Sequence, residues 1–165
     1  MLADAVAKIE DVRPVGECPE DRLRPFDQAV AAGAWESLAP EQRMLVSPAM
    51  AARQGQMQLR QLVSMPGSAL IVAQAGREPV GYVLISIAPD SSTDEPTGHL
   101  IDLWVVPHHR RRGVGTRLLG HAERWVSAQG LRKMKLWSGL HNQPVIAFAE
   151  RHGFAPAGLI GIKDL

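Results

Sequence analysis

Seven consecutive residues, Arg110-Arg111-Arg112-Gly113-Val114-Gly115-Thr116, have the types and spacing a phosphate group requires. Arginine brings a planar, permanently charged fork of donors that matches phosphate oxygens, and glycine admits a ligand to the backbone with no Cβ in the way. The residues that follow give this turn its setting. From Val114 onward Val114, Leu118, Leu119, Ala122, Trp125 and Val126 recur at spacings of three and four, which predicts a helix, and Gly130 is placed to end it. The first turn of a helix presents unpaired N–H groups and the positive end of the peptide dipole, so a basic, glycine-broken turn leading into it suits a phosphate or pyrophosphate. Ahead of the turn, His99 to Val106 is rich in Leu, Ile, Val and Trp and stops at Pro107, as a buried strand would.

Several phosphate-binding turns share that outline, and the residues choose among them. No Lys-Ser or Lys-Thr follows the glycines, which argues against a nucleoside-triphosphatase loop, and Gly113-x-Gly115 lacks the third glycine of the dinucleotide fingerprint. What remains, Arg110-x-x-Gly113-x-Gly115 directly after a strand ending in Val-Val-Pro, resembles the acetyl-CoA signature of the GNAT acetyltransferase superfamily, (Arg/Gln)-x-x-Gly-x-(Gly/Ala). A second stretch, Asn142 to Phe154, is similar to that family's Asn followed by an Ala-aliphatic-Tyr-Glu-Lys-x-Gly-Phe ending, matching at Asn142, Ala147, Glu150, Gly153 and Phe154, so that the likeness spans roughly residues 68 to 160.

The resemblance implies a single domain over residues 1–165, with a first strand and substrate-side helices in 1–67 and a sheet with the acetyl-CoA-binding core in 68–165. Its fold would be α/β: a mixed, mostly antiparallel twisted sheet with helices on both faces and a central βαβ unit. It implies acetyl-CoA as cosubstrate and no metal, with the cofactor touching Leu103, Val105, Arg110, Arg111, Arg112, Gly113, Val114, Gly115 and Thr116 and its pantetheine arm meeting Asn142. A bulge in the central strand near Leu103 to Val105 would expose backbone N–H groups to a developing oxyanion. The implied reaction is transfer of the acetyl group to a primary amine of a small molecule or peptide, by direct attack in a ternary complex. One position departs from the pattern: Ala149 stands where many members carry the tyrosine that protonates the departing thiolate. Ser138, His141 and His152 are the substitutes nearest in sequence.

An acceptor amine is protonated at neutral pH and cannot attack a thioester until it loses a proton, so a base is needed. His99, at the start of the central strand, is the best single candidate; a histidine has an unperturbed pKa of ~6.5, and the resemblance puts His99 where several family members carry a Glu or His. Asp102 is the second, because a carboxylate inside a run of Leu, Ile and Trp needs a partner or a polar cleft. By strand alternation the two point to opposite faces unless a bulge intervenes.

The rest of the chain supplies the scaffold. Residues 9–15 are expected to form an edge strand; 19–30 to hold a helix interrupted near Pro25; Pro40 to start another turn; and Ser47-Pro48 to open a helix running to Met65. Two strands, 68–73 and 79–88, form an expected hairpin, a polar loop spans 90–97, and a strand over 131–140 should pair in parallel with the central one through the helix between them. Asn142 is placed to cap the next helix, and 154–165 to close the sheet.

With 18 Lys and Arg against 17 Asp and Glu, the chain lacks the broad positive field of a nucleic-acid binder. No apolar run approaches the ~18 residues of a membrane span, and the solitary Cys18 fits a reducing compartment. The expectation is a cytoplasmic protein with neither nucleic acid nor membrane as partner, and a possible homodimer. A non-catalytic acyl-CoA-binding regulatory module would use the same cofactor residues and stands as the alternative to an enzyme.

Overall fold

Among the described residues, alternating apolar positions in the middle of the chain build one five-stranded sheet, ordered β1-β2-β3-β4-β5. The computed structural model describes residues 8–14, 27–76 and 78–157. The strands are β1 (Lys8–Pro14), β2 (Ser68–Ala75), β3 (Glu78–Pro89), β4 (Pro96–Val105) and β5 (Met134–Leu136). The helices are α1 (Asp27–Glu36), α2 (Pro40–Leu45), α3 (Pro48–Val63), α4 (Val114–Ala128) and α5 (Gln143–Arg151). β1 to β4 pair antiparallel, while β5 returns through α4 to lie parallel to β4. The mixed, mostly antiparallel sheet and its βαβ unit are therefore as expected.

Each face of the sheet has its own apolar layer. Ala69, Ile71, Ala73, Val83, Ile85 and Val105 turn towards α4 and meet Val114, Leu118, Ala122 and Val126. The alternate residues Leu70, Tyr82, Leu84 and Trp104 turn the other way and meet Val30 of α1 and Leu59 of α3. A pleated strand sends successive side chains to opposite faces, so a chain with apolar residues at both parities is covered on both sides. Burial of a residue such as Leu118, which has no exposed surface, contributes about 1.5–3 kcal/mol before entropy is counted.

Local signals set most of the boundaries. The Ser47 hydroxyl accepts from the Met50 N–H and Pro48 occupies the first helical position, which fixes the start of α3. Pro40 opens a short helix rather than a turn, with the Gln42 side chain returning to the Ala39 N–H at 2.8 Å. The strand expected over 131–140 is only three residues long, because its pairing with β4 ends at Leu136. Asn142 sits at the start of α5, but its side chain makes no capping hydrogen bond; its backbone carbonyl accepts from Val145 and Ile146 instead. Residues 15–26, which hold the first part of the expected 19–30 helix, and residues 158–165 of the expected closing strand lie outside the described residues.

Candidate active site

The site begins where two strands part. β5 pairs with β4 only from Gly98 to Leu100, whereas β4 runs on to Val105. On its other edge β4 stays paired with β3 throughout, and the Val106 N–H continues the ladder to Val80 O at 2.9 Å. Alternation then turns the N–H groups of Leu103 and Val105 away from β3, to the side that β5 has already left, and of the two the Leu103 N–H is taken up by the Asp102 carboxyl. Donors of this kind need a partner, and an acyl carbonyl or a pantetheine amide can be one.

The turn after β4 arrives beside this opening. A short 3-10 turn at Pro107–His109 leads into Arg110, and Arg111 and Gly113 both take left-handed backbone angles, at φ 62° and 80°. For Arg111 that conformation is strained, and strain of this kind collects at binding sites. Gly113 is the N-cap of α4 and no side chain caps the helix, whose first internal bond runs from Arg117 N to Gly113 O at 3.0 Å. The N–H groups of Val114, Gly115 and Thr116 thus form a concave donor set at the positive end of the α4 dipole.

The three arginines divide their work. Arg110 Nε donates to Val105 O at 2.8 Å, its Nη2 meets Glu36 Oε2 at 2.8 Å, and its guanidinium lies 5.7 Å from the Trp104 ring centroid. It ties the turn to β4 and to the end of α1, a tertiary role that its place in the motif does not reveal. Arg111 and Arg112 are exposed at the turn. α5 meets the turn through Phe148, whose ring would lie 3.5 Å from a Cβ at Gly115, and through His152. His152 Nδ1 donates to Phe148 O at 2.7 Å, so in the neutral ring Nε2 is left to accept from the Thr116 hydroxyl 3.0 Å away. That contact places His152 at the N-terminus of α4. His141 Nε2 donates to Ser37 O at 2.8 Å, and Ser138 contacts Gly139 O. Ala149 is buried and offers no proton.

On the opposite face of the sheet the bulge decides the chemistry. Leu84 faces Asp102 and Ile85 faces Leu100, so Ile101 is the extra residue. The irregularity therefore falls ahead of the expected Leu103 to Val105. Its consequence is a change of parity: His99 opposite Ser86, Asp102 opposite Leu84 and Trp104 opposite Tyr82 all share the face towards α1 and α3. The two candidate bases, three residues apart, are brought onto one surface.

A third residue joins them that the sequence reading does not single out. Tyr82 is wholly buried, and its hydroxyl donates to Asp102 Oδ2 at 2.5 Å. Asp102 as a whole is exposed along β4, but its carboxyl is set against the protein on the Tyr82 side, and the loss of hydration there raises its pKa above the ordinary 3.8, while the hydrogen bonds from Tyr82 and from the Leu103 N–H pull it back. Burial, then the Asp102 charge and the hydrogen bond to it, hold the Tyr82 phenol protonated far above its usual range. Beside this pair, His99 Nε2 and Trp104 Nε1 are buried with no hydrogen-bond partner among the described residues. In the sequence Tyr82 is the sole tyrosine and, with Gly81, resembles the family's glycine followed by an aliphatic or aromatic residue on the third strand, a likeness that gives it no chemical role.

The comparisons agree with this geometry. The profile of the acetyltransferase (GNAT) family matches residues 32–154, and the chain belongs to that family. An uncharacterised N-acetyltransferase of Methanocaldococcus jannaschii is 31% identical over 84 residues, which cover 50% of this chain and 37% of that protein. Among solved structures, one described as an acetyl transferase from Pyrococcus furiosus superposes with a TM-score of 0.77 at 23% identity, covering 96% of this chain and 99% of that one. An aminoglycoside N-acetyltransferase in complex with CoA superposes with a TM-score of 0.69 at 18% identity, covering 99% of both chains. These likenesses establish the fold. Among the described residues, no helix is long and apolar enough to cross a membrane.

Proposed function

We propose that the chain transfers the acetyl group of acetyl-CoA to a primary amine of a small molecule or peptide, by direct attack within a ternary complex. One observation carries the reading: β4 parts from β5 after Leu100, with the uncapped start of α4 on one face of the sheet and His99 and Asp102 on the other. A cofactor anchored by its pyrophosphate at Val114, Gly115 and Thr116 would reach through the gap, and an acceptor would approach from the face of α1 and α3. The cosubstrate supplies the acetyl group as a thioester.

The residues divide the remaining work. Asp102 takes a proton from the acceptor ammonium, and the freed amine forms a bond to the carbonyl carbon. The Val105 N–H group faces the charge that builds on the carbonyl oxygen. As the carbon–sulfur bond breaks its electron pair leaves with sulfur, and the second amine proton ends on the thiol. His99 and Trp104 offer ring nitrogens to the acceptor. The absence of a hydroxyl at Ala149 favours one other reading, an acyl-CoA-binding regulatory module without turnover.

Incubation with acetyl-CoA and a panel comprising an aminoglycoside, spermidine and a short peptide with a free N-terminus separates the two. Thiol release that depends on amine, with an acetylated product seen by mass spectrometry, is expected for the enzyme. Release that no amine accelerates, beside tight acetyl-CoA binding, would establish the regulatory module.

A further inference from the structure

We infer that Tyr82 is a positioning residue for acetyl transfer: through its hydrogen bond to Asp102 it fixes the carboxylate that accepts the ammonium proton and keeps that carboxylate ionised. The inference rests on the proposed reaction and adds to it a residue to which the sequence pattern assigns no chemical role.

Geometry carries the argument. The Tyr82 hydroxyl lies 2.5 Å from Asp102 Oδ2, at the short end of the range for a hydrogen bond to an ionised acceptor. Its ring is wholly buried between Leu70, Leu84 and Trp104 on one side and Val30 and Leu59 on the other, so the donor has little freedom to turn away. The bulge at Ile101 brings Asp102 to this face; without it the carboxylate would lie on the α4 side, out of reach of Tyr82. The Leu103 N–H also donates to this carboxyl, so Tyr82 and the strand backbone hold it together. A phenol that donates to a carboxylate stabilises the charged form, which opposes the cost of crowding it with protein.

Among the described residues, several charged groups of the acceptor side have partners of their own. On α1, Glu36 is paired with Arg110 and Asp27 with Arg60 of α3; Lys135 of β5 is paired with Asp90. His99 is the remaining titratable group on the same face of β4. The Tyr82 bond is then the chief control on the ionisation of Asp102 that can be removed without altering a charge.

The test is a double-mutant cycle read against pH, with spermidine or whichever panel amine supports turnover. Asp102→Asn is expected to lower kcat by about a hundredfold, the scale of losing a general base. Tyr82→Phe keeps the ring, and should lower kcat about tenfold at neutral pH while moving the acid limb of the profile to higher pH. Combined with Asp102→Asn, Tyr82→Phe should add less than about twofold, because it acts through the carboxylate. Multiplying effects, or an unmoved acid limb, would overturn the inference.

A second readout needs no turnover. The carbon-13 resonance of the Asp102 carboxyl should titrate at higher pH in Tyr82→Phe than in wild type, and an unchanged midpoint would refute the role assigned to Tyr82 even if the protein proved not to be an enzyme. Should Tyr82→Phe fail to fold, the wild-type protein still decides. The Tyr82 hydroxyl proton should resonate far downfield and move with the Asp102 titration, and its indifference to that titration would refute the inference.

Discussion

Replacing Gly113 by Ala isolates the backbone of the phosphate turn. Gly113 has φ 80°, and a Cβ built there meets no atom within 4 Å, so the substitution adds strain without a clash. A left-handed conformation costs an L-residue about 1–2 kcal/mol. Gly130, at the far end of the same helix, has φ 79° and equally open surroundings, and so serves as the control. The two substitutions carry the same strain, but they should display it differently. At Gly130 all of it should appear as lost stability, a fall in Tm of about 2–8 °C for a domain of this size. At Gly113 the exposed turn can relax until ligand is bound, and acetyl-CoA must then restore the strained form. The same 1–2 kcal/mol should therefore be divided between stability and affinity, weakening acetyl-CoA binding by up to about 5- to 30-fold. Denaturant unfolding and calorimetric titration of both variants measure the division. Equal affinities in Gly113→Ala and Gly130→Ala would refute the claim that the turn shape is part of the ligand site.

Other substitutions test separate parts of the account. Gly115→Glu should abolish acetyl-CoA binding in the calorimeter while leaving the circular dichroism spectrum unchanged, since its Cβ points towards Phe148 and Leu103 at ordinary contact distances and the added charge opposes a phosphate. Leu118→Ala removes a wholly buried side chain from the α4 layer and should cost about 2–5 kcal/mol in denaturant unfolding. Asp102→Asn should raise Tm at pH 8 and leave it nearly unchanged at pH 3. The sign follows from the raised pKa: the folded protein keeps this proton after the unfolded chain has released it, so stability falls as pH climbs from the ordinary 3.8 through the folded value, and the amide escapes that loss.

The parts of the fold visible in the sequence were those governed by local periodicity and by strong stop signals. Val114 to Val126 announces a helix, Ser47-Pro48 its start signal elsewhere, and Pro107 the end of a strand, because each depends on neighbours a few residues away. What was hidden depended on pairing. The bulge at Ile101 arises from the register of β4 against β3, and it alone decides that His99 and Asp102 share a face. Tyr82 is 20 residues from Asp102 and Glu36 is 74 from Arg110, distances across which no periodicity carries information. β5 is short for the same reason: Leu131 to Leu140 has an apolar pattern suited to a strand, but the chain leaves the edge of β4 after Leu136 although β4 itself runs on to Val105. Asn142 has the right type and place for a helix cap, yet at ψ 62° its backbone departs from the extended conformation usual at that position, and its side chain makes no capping bond.

Amide shifts on addition of CoA to the isotopically labelled protein test the central claim most directly, because they report where the ligand sits as well as whether it binds. The account predicts large shifts at Val114, Gly115 and Thr116, where phosphate oxygens meet the start of α4, and at Leu103 and Val105 on the open edge of β4. Saturable shifts confined to other parts of the chain, or none in a folded sample, would contradict it.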